Sequence, residues 1–338
     1  MNKFKVGIVG CGRISTVYRK AFHDAEDLVE VCFAVDKELS RAQAFADEFP
    51  GCRASDRLED LLAAGLDAVH ICTPHFLHKQ HAVACLKAGC HVLTEKPIAL
   101  SMEDAAEMME TAAACKKQLA VIFQNRYIPG VQEVKRLIAQ GAFGQIKGAW
   151  SHLAWYRPES YYKCDWKGSW EKEGGGVVID QAIHSIDLVR YMMGSEAKTI
   201  QGHIARRILT TIEVEDEADA AITFENGATY AFSACNYYVT NSPIRIEICG
   251  ENGRALLTET EMEITLAGHK PYKVLPREGL NTAGEAYWGA YHSVQVRDFY
   301  ESLAKGQQTS VHPQDAAKTL ELVLGIYRSA KENRTVKL

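Results

Sequence analysis

Near the middle of the chain, a carboxylate and an imidazole lie one helical turn apart, after three consecutive glycines. The segment is Gly174-Gly-Gly-Val-Val-Ile-Asp180-Gln-Ala-Ile-His184-Ser-Ile-Asp187. The spacing of Asp180 and His184 predicts that both side chains share one helical face, and this pair is suited to proton transfer. A short amphipathic helix with a satisfied histidine and surface aspartates is the competing interpretation. The residues that precede the segment must decide between the two.

The composition predicts a globular protein of about two domains. Hydrophobic residues make up 47% and charged residues 24% of the 338 positions, which is enough apolar material for a sizeable core. The net charge of −5, without a block of like charge, argues against a nucleic-acid partner. No apolar run approaches the length of a membrane span, and the first strand-like segment leaves no room for a signal peptide. We therefore expect a cytoplasmic protein with no membrane partner.

Neither the cysteines nor the histidines predict a metal site. The ten cysteines are scattered without a CxxC pair, as in a protein that uses reduced thiols for packing. His75, His78 and His81 would come together only on one continuous helix, and Pro74 places His75 in a loop or a first turn. We expect neither a metal ion nor disulfides.

A short apolar run at the start of the chain ends in a glycine-rich turn. The turn reads Gly10-Cys-Gly12-Arg13-Ile14-Ser15, and an amphipathic helical pattern follows it. Glycines at such a turn allow the backbone to approach a pyrophosphate, and the N-terminus of the helix favours its charge. Ser15 stands where a third glycine or alanine is usual. The strand before and the helix after the turn still favour a dinucleotide site.

Asp36 ends the second predicted strand and lies 24 residues after Gly12. Its carboxylate could accept hydrogen bonds from the two adenosine ribose hydroxyls and would repel a 2′-phosphate. This favours NAD over NADP, although Lys37 and Arg41 are cations that could reverse the preference. The competing interpretation of Asp36 is a capping residue at a strand end.

Strands and helices alternate from the N-terminus to residue 123. This order predicts an α/β domain with a parallel, doubly wound sheet over residues 1–123. Ligands of such sheets bind beyond the carboxyl ends of the strands. Gly10, Asp36, Thr73 and Lys96 all fall at such ends.

The pattern changes in residues 124–338. Apolar residues then alternate with polar ones, and Asn226-Gly227 and Asn252-Gly253 separate such runs as hairpin turns. This predicts a second, α+β domain built on a large, mainly antiparallel, open sheet. Its final helices are free to pack back towards the first domain.

Five motifs, in this order, resemble those of the glucose-fructose oxidoreductase, inositol dehydrogenase and MocA family. They are Gly7-Ile-Val-Gly10-Cys-Gly12-Arg-Ile, Thr73-Pro74-His75-Phe-Leu-His78, Glu95-Lys96-Pro97, the segment from Gly174 to Asp187, and Tyr327-Arg-Ser329-Ala. The resemblance implies an N-terminal Rossmann domain and nicotinamide-dependent oxidation or reduction of a sugar-like carbinol. It also implies a homo-oligomer, a dimer or a tetramer, formed through the open sheet of the C-terminal domain.

Carried over residue by residue, the resemblance gives three catalytic residues. His184 would be the general base of alcohol oxidation and the general acid of ketone reduction. Lys96 would hydrogen-bond the reacting oxygen and stabilise its developing charge. Asp180 would orient substrate hydroxyls or the imidazole. Asp187 is interpreted as a structural helix residue.

The same resemblance implies a set of residues that contact the cofactor. They are Gly10, Gly12, Arg13, Ile14, Asp36, Thr73, Pro74, His78, Glu95 and Lys96. The chain departs from the family at two points. His75 stands where asparagine is commoner, and Gln181-Ala182 replaces a pair that usually contains glycine.

Aromatic and basic residues on both sides of the domain boundary predict the substrate site. Besides Lys96, Asp180 and His184, the candidates are Arg126, Tyr127, Arg157, Tyr161 and Trp166. Aromatic faces next to hydroxyl and guanidinium donors suit a polyhydroxylated ring, whereas packing within the protein is the competing interpretation. Tyr287 and Trp288 could add a further wall. The pattern is similar to the branch that oxidises the 3-hydroxyl of nucleotide sugars or glycosides.

These residues predict an NAD-dependent oxidoreductase that acts on a sugar, cyclitol, glycoside or nucleotide sugar. Two alternatives stay open. One is a redox-neutral glycoside-processing enzyme that recycles its NAD, and the other is a non-catalytic NAD-binding regulator.

Overall fold

The chain folds into two units that each contain one β-sheet. Met1–Gln124 and Gly279–Ala317 form the first unit, and Asn125–Glu278 and Lys318–Leu338 form the second. The structure is a computed structural model, which describes residues 3–280, 282–285 and 288–338. The first unit thus ends one residue after the boundary expected at residue 123. A later segment, Gly279–Ala317, belongs to the first unit again.

The described strands and helices follow the predicted change of pattern along the chain. The strands of the first unit are β1 (Phe4–Val9), β2 (Val29–Val35), β3 (Arg53–Ser55), β4 (Ala68–Ile71), β5 (His91–Thr94) and β6 (Leu119–Val121). Those of the second unit are β7 (Ile146–Ala154), β8 (Ala197–Ala205), β9 (Glu217–Phe224), β10 (Thr229–Cys235), β11 (Arg245–Gly250), β12 (Gly253–Thr258), β13 (Glu261–Leu266), β14 (Tyr272–Val274) and β15 (Val336–Lys337). The α-helices are α1 (Ser15–Asp24), α2 (Leu39–Ala46), α3 (Leu58–Leu62), α4 (His78–Lys87), α5 (Met102–Ala114), α6 (Pro129–Ala139), α7 (Ile183–Met193), α8 (His292–Ala304) and α9 (Pro313–Glu332).

The first sheet has the strand order β3-β2-β1-β4-β5-β6, and all its neighbouring pairs are parallel. The prediction of a parallel, doubly wound sheet is confirmed. Tyr18 and Phe22 of α1 pack into the core beside the sheet. At the start of α5 the Ser101 hydroxyl accepts a hydrogen bond of 3.0 Å from the amide of Asp104 and so caps the helix.

Four adjacent strands of this sheet end at the same level. In the register of the sheet, Val9 lies opposite Val35 and Ile71, and Ile71 lies opposite Thr94. The residues that follow these strands therefore share one edge of the sheet. This is the edge where parallel sheets bind their ligands, and the order of the strands reverses there between β1 and β4.

The second sheet has the order β14-β13-β12-β11-β7-β10-β9-β8-β15. Only β7 and β10 run parallel among its described pairs, so the prediction of a mainly antiparallel sheet is confirmed. The predicted turns at Asn226-Gly227 and Asn252-Gly253 join β9 to β10 and β11 to β12. Gly227 has a φ of +85°, as tight hairpin turns require.

Side chains of the second sheet alternate between a buried face and an outward face. Ile222, Tyr230 and Ile246 are buried, whereas Trp150 is 49% exposed. The outward face carries a groove of about 940 Å³ whose lining includes Trp150 and His152. Throughout the described ranges, no helix combines the length and the apolar character needed to cross a membrane.

Candidate active site

The glycine-rich turn of the first unit is shaped by a close backbone contact. Gly10 has a φ of +94°, a conformation that favours glycine. A Cβ at Gly10 would lie 2.6 Å from the carbonyl group of Cys72 and 2.8 Å from the nitrogen of Thr73. A Cβ at Gly12 would have no described atom within 4 Å. The first glycine is therefore required by the fold, while the second leaves room for a phosphate to approach.

Ile14 precedes α1 and provides no side-chain cap. The backbone N–H groups at the start of a helix are the groups that bind an anion such as a phosphate. Ser15 is buried, and its hydroxyl donates a hydrogen bond of 2.7 Å to the Gly12 carbonyl. The serine in the third position thus stabilises the turn. Arg13 is exposed and pairs with Glu285 at 2.9 Å.

The Asp36 carboxylate is held in a fixed orientation at the end of β2. Its Oδ2 accepts a hydrogen bond of 2.7 Å from the Cys11 amide, and its Oδ1 accepts one of 2.9 Å from the Glu38 amide. The side chain is largely buried. Asp36 therefore caps the loop, and it also presents a fixed negative charge at the ligand edge of the sheet.

His78 ties two loops of the ligand edge together. Its Nδ1 lies 2.7 Å from the carbonyl oxygen of Pro97, and its Nε2 lies 2.9 Å from that of Thr73. Burial lowers the pKa of the ring to about 4, although the two carbonyl groups favour its protonated form. His78 was predicted to contact the cofactor, but its side chain is fully buried. The ring instead connects the Thr73 carbonyl group to the loop after β5.

Lys96 lies among imidazoles that are held neutral. It is half-buried and follows Glu95, whose carboxylate accepts a hydrogen bond of 2.8 Å from the Tyr18 hydroxyl. His292 of α8 lies 3.8 Å from the same carboxylate. Burial and, secondarily, the Lys96 charge lower the pKa of His292 to about 3. The Glu95 carboxylate, which was predicted to contact the cofactor, is thus hydrogen-bonded to Tyr18 and lies close to His292.

In the second unit, Asp180 and His184 lie on either side of a change in helix type. Asp180 belongs to a π-helical turn at Val178–Ala182, and His184 lies in the first turn of α7. A π turn has i→i+5 hydrogen bonds and is frequent at functional sites. The regular helical spacing expected from Asp180 to Asp187 therefore holds only from the start of α7.

The glycine run that precedes this turn is required by packing within the second unit. Gly175 has a φ of +145°, and a Cβ there would overlap the Tyr327 hydroxyl. A Cβ at Gly176 would overlap the carbonyl oxygen of Glu215. Protein atoms of the same unit therefore occupy the space beside both glycines.

A buried carboxylate that sequence reasoning missed holds the start of the π turn. Glu215 accepts hydrogen bonds of 2.8 Å from the Gly176 amide and 3.1 Å from the Val178 amide. The Tyr327 hydroxyl donates a third, of 2.8 Å, and accepts one from the Ile179 amide. Burial raises the pKa of Glu215 to about 7. The segment before Asp180 is therefore fixed by two side chains distant in sequence.

Three donors converge on one oxygen of Asp180. Its Oδ2 accepts hydrogen bonds from Tyr161 Oη at 2.7 Å, Lys167 Nζ at 2.5 Å and Gln181 Nε2 at 2.6 Å. The amide of Asn236 donates in turn to Gln181 Oε1 at 2.8 Å. Such an arrangement favours the ionised carboxylate. Lys167 and Asn236 were not predicted, and only the departure from the family at position 181 pointed towards Gln181.

Arg126 forms a buried ion pair rather than an open anion site. Its Nε lies 2.7 Å from Asp187 Oδ2, and its Nη2 lies 2.5 Å from Asp187 Oδ1. The Thr319 hydroxyl also donates to Asp187 at 2.8 Å. Since Arg126 was predicted to bind substrate, its bidentate engagement in the protein is a correction to that role. Asp187 has the structural position expected of it.

Three of the remaining aromatic and basic candidates of the second unit, Arg157, Tyr161 and Trp166, lie in one cluster. The guanidinium carbon of Arg157 lies 4.7 Å from the Trp155 ring centre and 5.3 Å from that of Tyr161. Its Nη1 donates to Asn241 at 3.0 Å. Trp166 covers the Lys167 ammonium at 4.3 Å. Tyr127 ends a separate 3₁₀ turn and is half-buried, whereas Tyr287 lies outside the described residues.

The predicted residues thus fall into two groups. Gly10, Gly12, Asp36 and Thr73 follow adjacent strand ends in the first unit, and Lys96 follows β5 there. The second group, in the second unit, combines Tyr161 and Asp180 by direct contact, with His184 one turn after Asp180.

Two family descriptions match the chain. The description "Oxidoreductase family, NAD-binding Rossmann fold" matches residues 4–123, and "GFO/IDH/MocA C-terminal domain" matches residues 131–256. The first range covers the strands of the parallel sheet. The second covers the Asp180 turn and much of the mixed sheet.

Named relatives match over most of the chain. D-glucoside 3-dehydrogenase of Escherichia coli (strain K12) is 29% identical over 280 residues, which are 75% of this chain and 76% of that protein. Myo-inositol 2-dehydrogenase of Thermotoga maritima is 24% identical over 340 residues, 99% of this chain and 98% of that protein. The crystal structure of the WlbA dehydrogenase from Bordetella pertussis in complex with NADH and UDP-GlcNAcA has a TM-score of 0.87 and 29% identity, covering 100% of this chain and 98% of that one. The chain is therefore similar to proteins named as dehydrogenases.

Proposed function

Because the chain belongs to the Gfo/Idh/MocA family of oxidoreductases, we propose that it is an NAD-dependent dehydrogenase of polyols. It moves a hydride between nicotinamide and a secondary hydroxyl or ketone of a sugar, cyclitol, glycoside or nucleotide sugar. The observation that carries the proposal is the Asp180 carboxylate, held by three donors in the turn before His184. A fixed anionic acceptor next to an imidazole suits hydroxyl recognition coupled to proton transfer.

The cofactor of this proposal is NAD rather than NADP. Gly10 and Gly12 leave room for the pyrophosphate, and the fixed carboxylate of Asp36 accepts ribose hydroxyls and repels a 2′-phosphate. When bound, the nicotinamide supplies the hydride acceptor for oxidation and the donor for reduction. The relative from Bordetella pertussis was crystallised with NADH, which supports this choice.

Three side chains perform the remaining chemistry. In oxidation, His184 takes the proton of the reacting hydroxyl, and in reduction it returns that proton. Lys96 donates a hydrogen bond to the reacting oxygen and stabilises its negative charge. Asp180 accepts hydrogen bonds from substrate hydroxyls and so fixes which carbon reacts.

Besides Asp180 and His184, the substrate site of this proposal keeps four of the predicted side chains of the second unit. Tyr161 and Trp166 offer aromatic surfaces, and Arg157 offers a cation between two rings. Tyr127 belongs to the same proposal. Arg126 contributes indirectly, through the Asp187 pair that anchors α7.

We further propose that the enzyme is a homo-oligomer, a dimer or a tetramer, assembled through the outward face of the mixed sheet. Trp150 is half exposed there beside a groove, as in surfaces that meet a partner. A Trp150→Asp variant should dissociate in sedimentation experiments. The matched control is Ile208→Asp, which changes an exposed apolar residue outside the groove. An unchanged mass of the Trp150 variant would contradict this mode of assembly.

A cytoplasmic location belongs to the same proposal, since the ten cysteines are all thiols.

The deciding experiment is a substrate panel of aldoses, inositols, uronic acids, glycosides and nucleotide sugars. Each is mixed with NAD or with NADP, and reduced nicotinamide and sugar products are measured separately. Formation of reduced nicotinamide by the unchanged protein, and its loss in a His184 variant, would support the dehydrogenase. Glycoside cleavage without release of reduced nicotinamide would instead support a recycled cofactor. NAD binding without any turnover across the panel would support a regulator.

A further inference from the structure

Lys167 lies in the loop between Tyr161 and the glycine run, and its ammonium lies between two carboxyl groups. Its Nζ is 2.5 Å from Asp180 Oδ2 and 3.2 Å from Glu173 Oε1. The side chain of Lys167 is 11% exposed, that of Asp180 is 7% exposed and that of Glu173 is 1% exposed. The three groups therefore interact with little screening by solvent.

The two carboxyl groups differ in the partners that they have. Glu173 Oε2 accepts a hydrogen bond of 2.5 Å from the Gly168 amide, and burial raises the pKa of Glu173 above its usual range. Asp180 Oδ2 instead accepts hydrogen bonds from Tyr161 and Gln181 in addition to Lys167. Asp180 is thus the closer of the two counter-charges of the Lys167 ammonium.

The surroundings of Lys167 keep the lysine charged. Burial disfavours its ammonium form, but the charges of Asp180 and Glu173 outweigh burial and hold the pKa of Lys167 above its usual range. The ring centres of Trp166 and Tyr161 lie 4.3 Å and 4.6 Å from Nζ, a geometry that also stabilises a cation. A fixed cation at 2.5 Å strongly favours the ionised form of a carboxyl group.

We propose that Lys167 is a positioning residue that keeps Asp180 an ionised acceptor of substrate hydroxyls, so that His184 alone carries the proton. The kinetic part of this inference rests on the proposed dehydrogenase function. The charge state of Asp180 does not, because it exists in the protein without substrate. Two experiments therefore separate the inference from the function on which it builds.

The first experiment measures the charge of Asp180 directly. Protein labelled with ¹³C-aspartate is titrated by infrared difference spectroscopy, and the Asp180 band is identified by its loss in Asp180→Asn. In Lys167→Met, the protonation midpoint of Asp180 should rise by about one to three pH units, the size expected for loss of a close opposite charge. Lys167→Arg should keep the midpoint of the unchanged protein, because it keeps the charge.

The matched control is Lys163→Met, which removes an exposed lysine from the same loop. It should leave the Asp180 band unchanged. The titratable groups near Asp180 are followed in the same spectra, and they are Tyr161, Tyr162, Lys167, Glu173 and His184. An Asp180 midpoint that is the same with and without Lys167 would overturn the inference, whatever the enzyme's substrate.

The second experiment uses a polyol that the panel identifies as a substrate. In Lys167→Met, the acidic limb of the kcat/KM profile should move upwards by about one to three pH units. Activity should then fall about tenfold or more near pH 6 and recover at alkaline pH, whereas Lys167→Arg should restore the original profile. A loss of equal size at every pH would contradict the proposal, because it would indicate a purely structural role.

The two experiments fail in distinguishable ways. If the infrared midpoint rises but no polyol is turned over, the proposed function fails and the assignment of Lys167 to the charge of Asp180 stands. If polyols are turned over but neither the midpoint nor the profile moves, the function stands and the assignment fails. NAD binding and thermal unfolding are recorded for each variant, so that misfolded protein is recognised.

Discussion

The Tyr327 hydroxyl donates a hydrogen bond of 2.8 Å to the buried carboxylate of Glu215. Together these two side chains engage the backbone amides of Gly176, Val178 and Ile179. The Tyr327 hydroxyl fills the space that a Cβ at Gly175 would need, and the backbone carbonyl of Glu215 fills that beside Gly176. The pair therefore determines the path of the chain into the turn that carries Asp180.

The first prediction concerns the pH dependence of stability at Glu215. Its pKa is raised to about 7 in the folded protein, so the folded state binds the proton more tightly than the unfolded state. The stability gained from this proton is complete below the unfolded pKa and is lost as the pH rises through about 7. In Glu215→Gln this component should disappear, so the difference in unfolding free energy between about pH 5 and pH 8 should change by an amount on the order of 1–3 kcal/mol.

The slope is measured by denaturant unfolding at several pH values. Glu171→Gln, an exposed glutamate of the same unit, serves as the control and should keep the slope of the unchanged protein. Parallel curves for the unchanged protein and Glu215→Gln would show that Glu215 is ionised throughout this range, contrary to the prediction.

The second prediction concerns the proposed catalytic residues. Lys96→Met and His184→Ala should each lower kcat by about 10²–10⁴-fold, as expected for loss of charge stabilisation or general base catalysis. NAD should still bind, because the glycine turn and Asp36 are unchanged. Turnover is measured with the best substrate of the panel, and binding is measured by NADH fluorescence. Undiminished turnover in either variant would remove that residue from the mechanism.

The third prediction concerns the choice between NAD and NADP. Asp36→Asn keeps a side-chain oxygen for a backbone amide but removes the negative charge that, in the proposed site, repels a 2′-phosphate. The ratio of kcat/KM for NADP to that for NAD should rise about tenfold, which corresponds to about 1.4 kcal/mol. Asp56→Asn changes an exposed aspartate of the same unit and should leave the ratio unaltered. A ratio that stays constant in Asp36→Asn would place cofactor selection elsewhere.

The fourth prediction concerns the ion pair of Arg126 and Asp187. Both side chains are almost completely buried, and their contacts are bidentate. Arg126→Met or Asp187→Leu alone leaves an uncompensated buried charge and should cost about 3–5 kcal/mol of unfolding free energy. The double variant should be much less unstable than the sum of the two, and denaturant unfolding of all four proteins measures this coupling. Additive losses would mean that the two charges do not interact.

The order of the parallel sheet was predictable because local patterns determine it. Apolar runs end at Gly10, Asp36 and Thr73, and an amphipathic helix follows each loop. Parallel strands joined by helices bring their carboxyl ends to one edge, so the residues after the strands could be placed together before any contact was known. Lys96, Asp180 and His184 came instead from the family motifs, and their catalytic roles stay predictions.

Two partners of the Asp180 turn, Glu215 and Lys167, were not predictable, because both are of common residue types. Glu215 and Lys167 carry no motif, and only the folded backbone brings them to Gly176 and Asp180. Arg126 shows the opposite case. A basic residue near a predicted site suggested substrate binding, but a carboxylate from α7 engages it in the protein interior.

The π turn at Val178–Ala182 separates two anchored points, the glycines held by Glu215 and the helix held by the Arg126–Asp187 pair. Each residue of a helix adds about 100° of rotation and 1.5 Å of rise. The number of residues between the two anchors therefore sets the direction in which Asp180 points relative to His184. A deletion of one residue here would preserve every side chain of the pair and still misalign them, so chain length at this turn is itself under functional constraint.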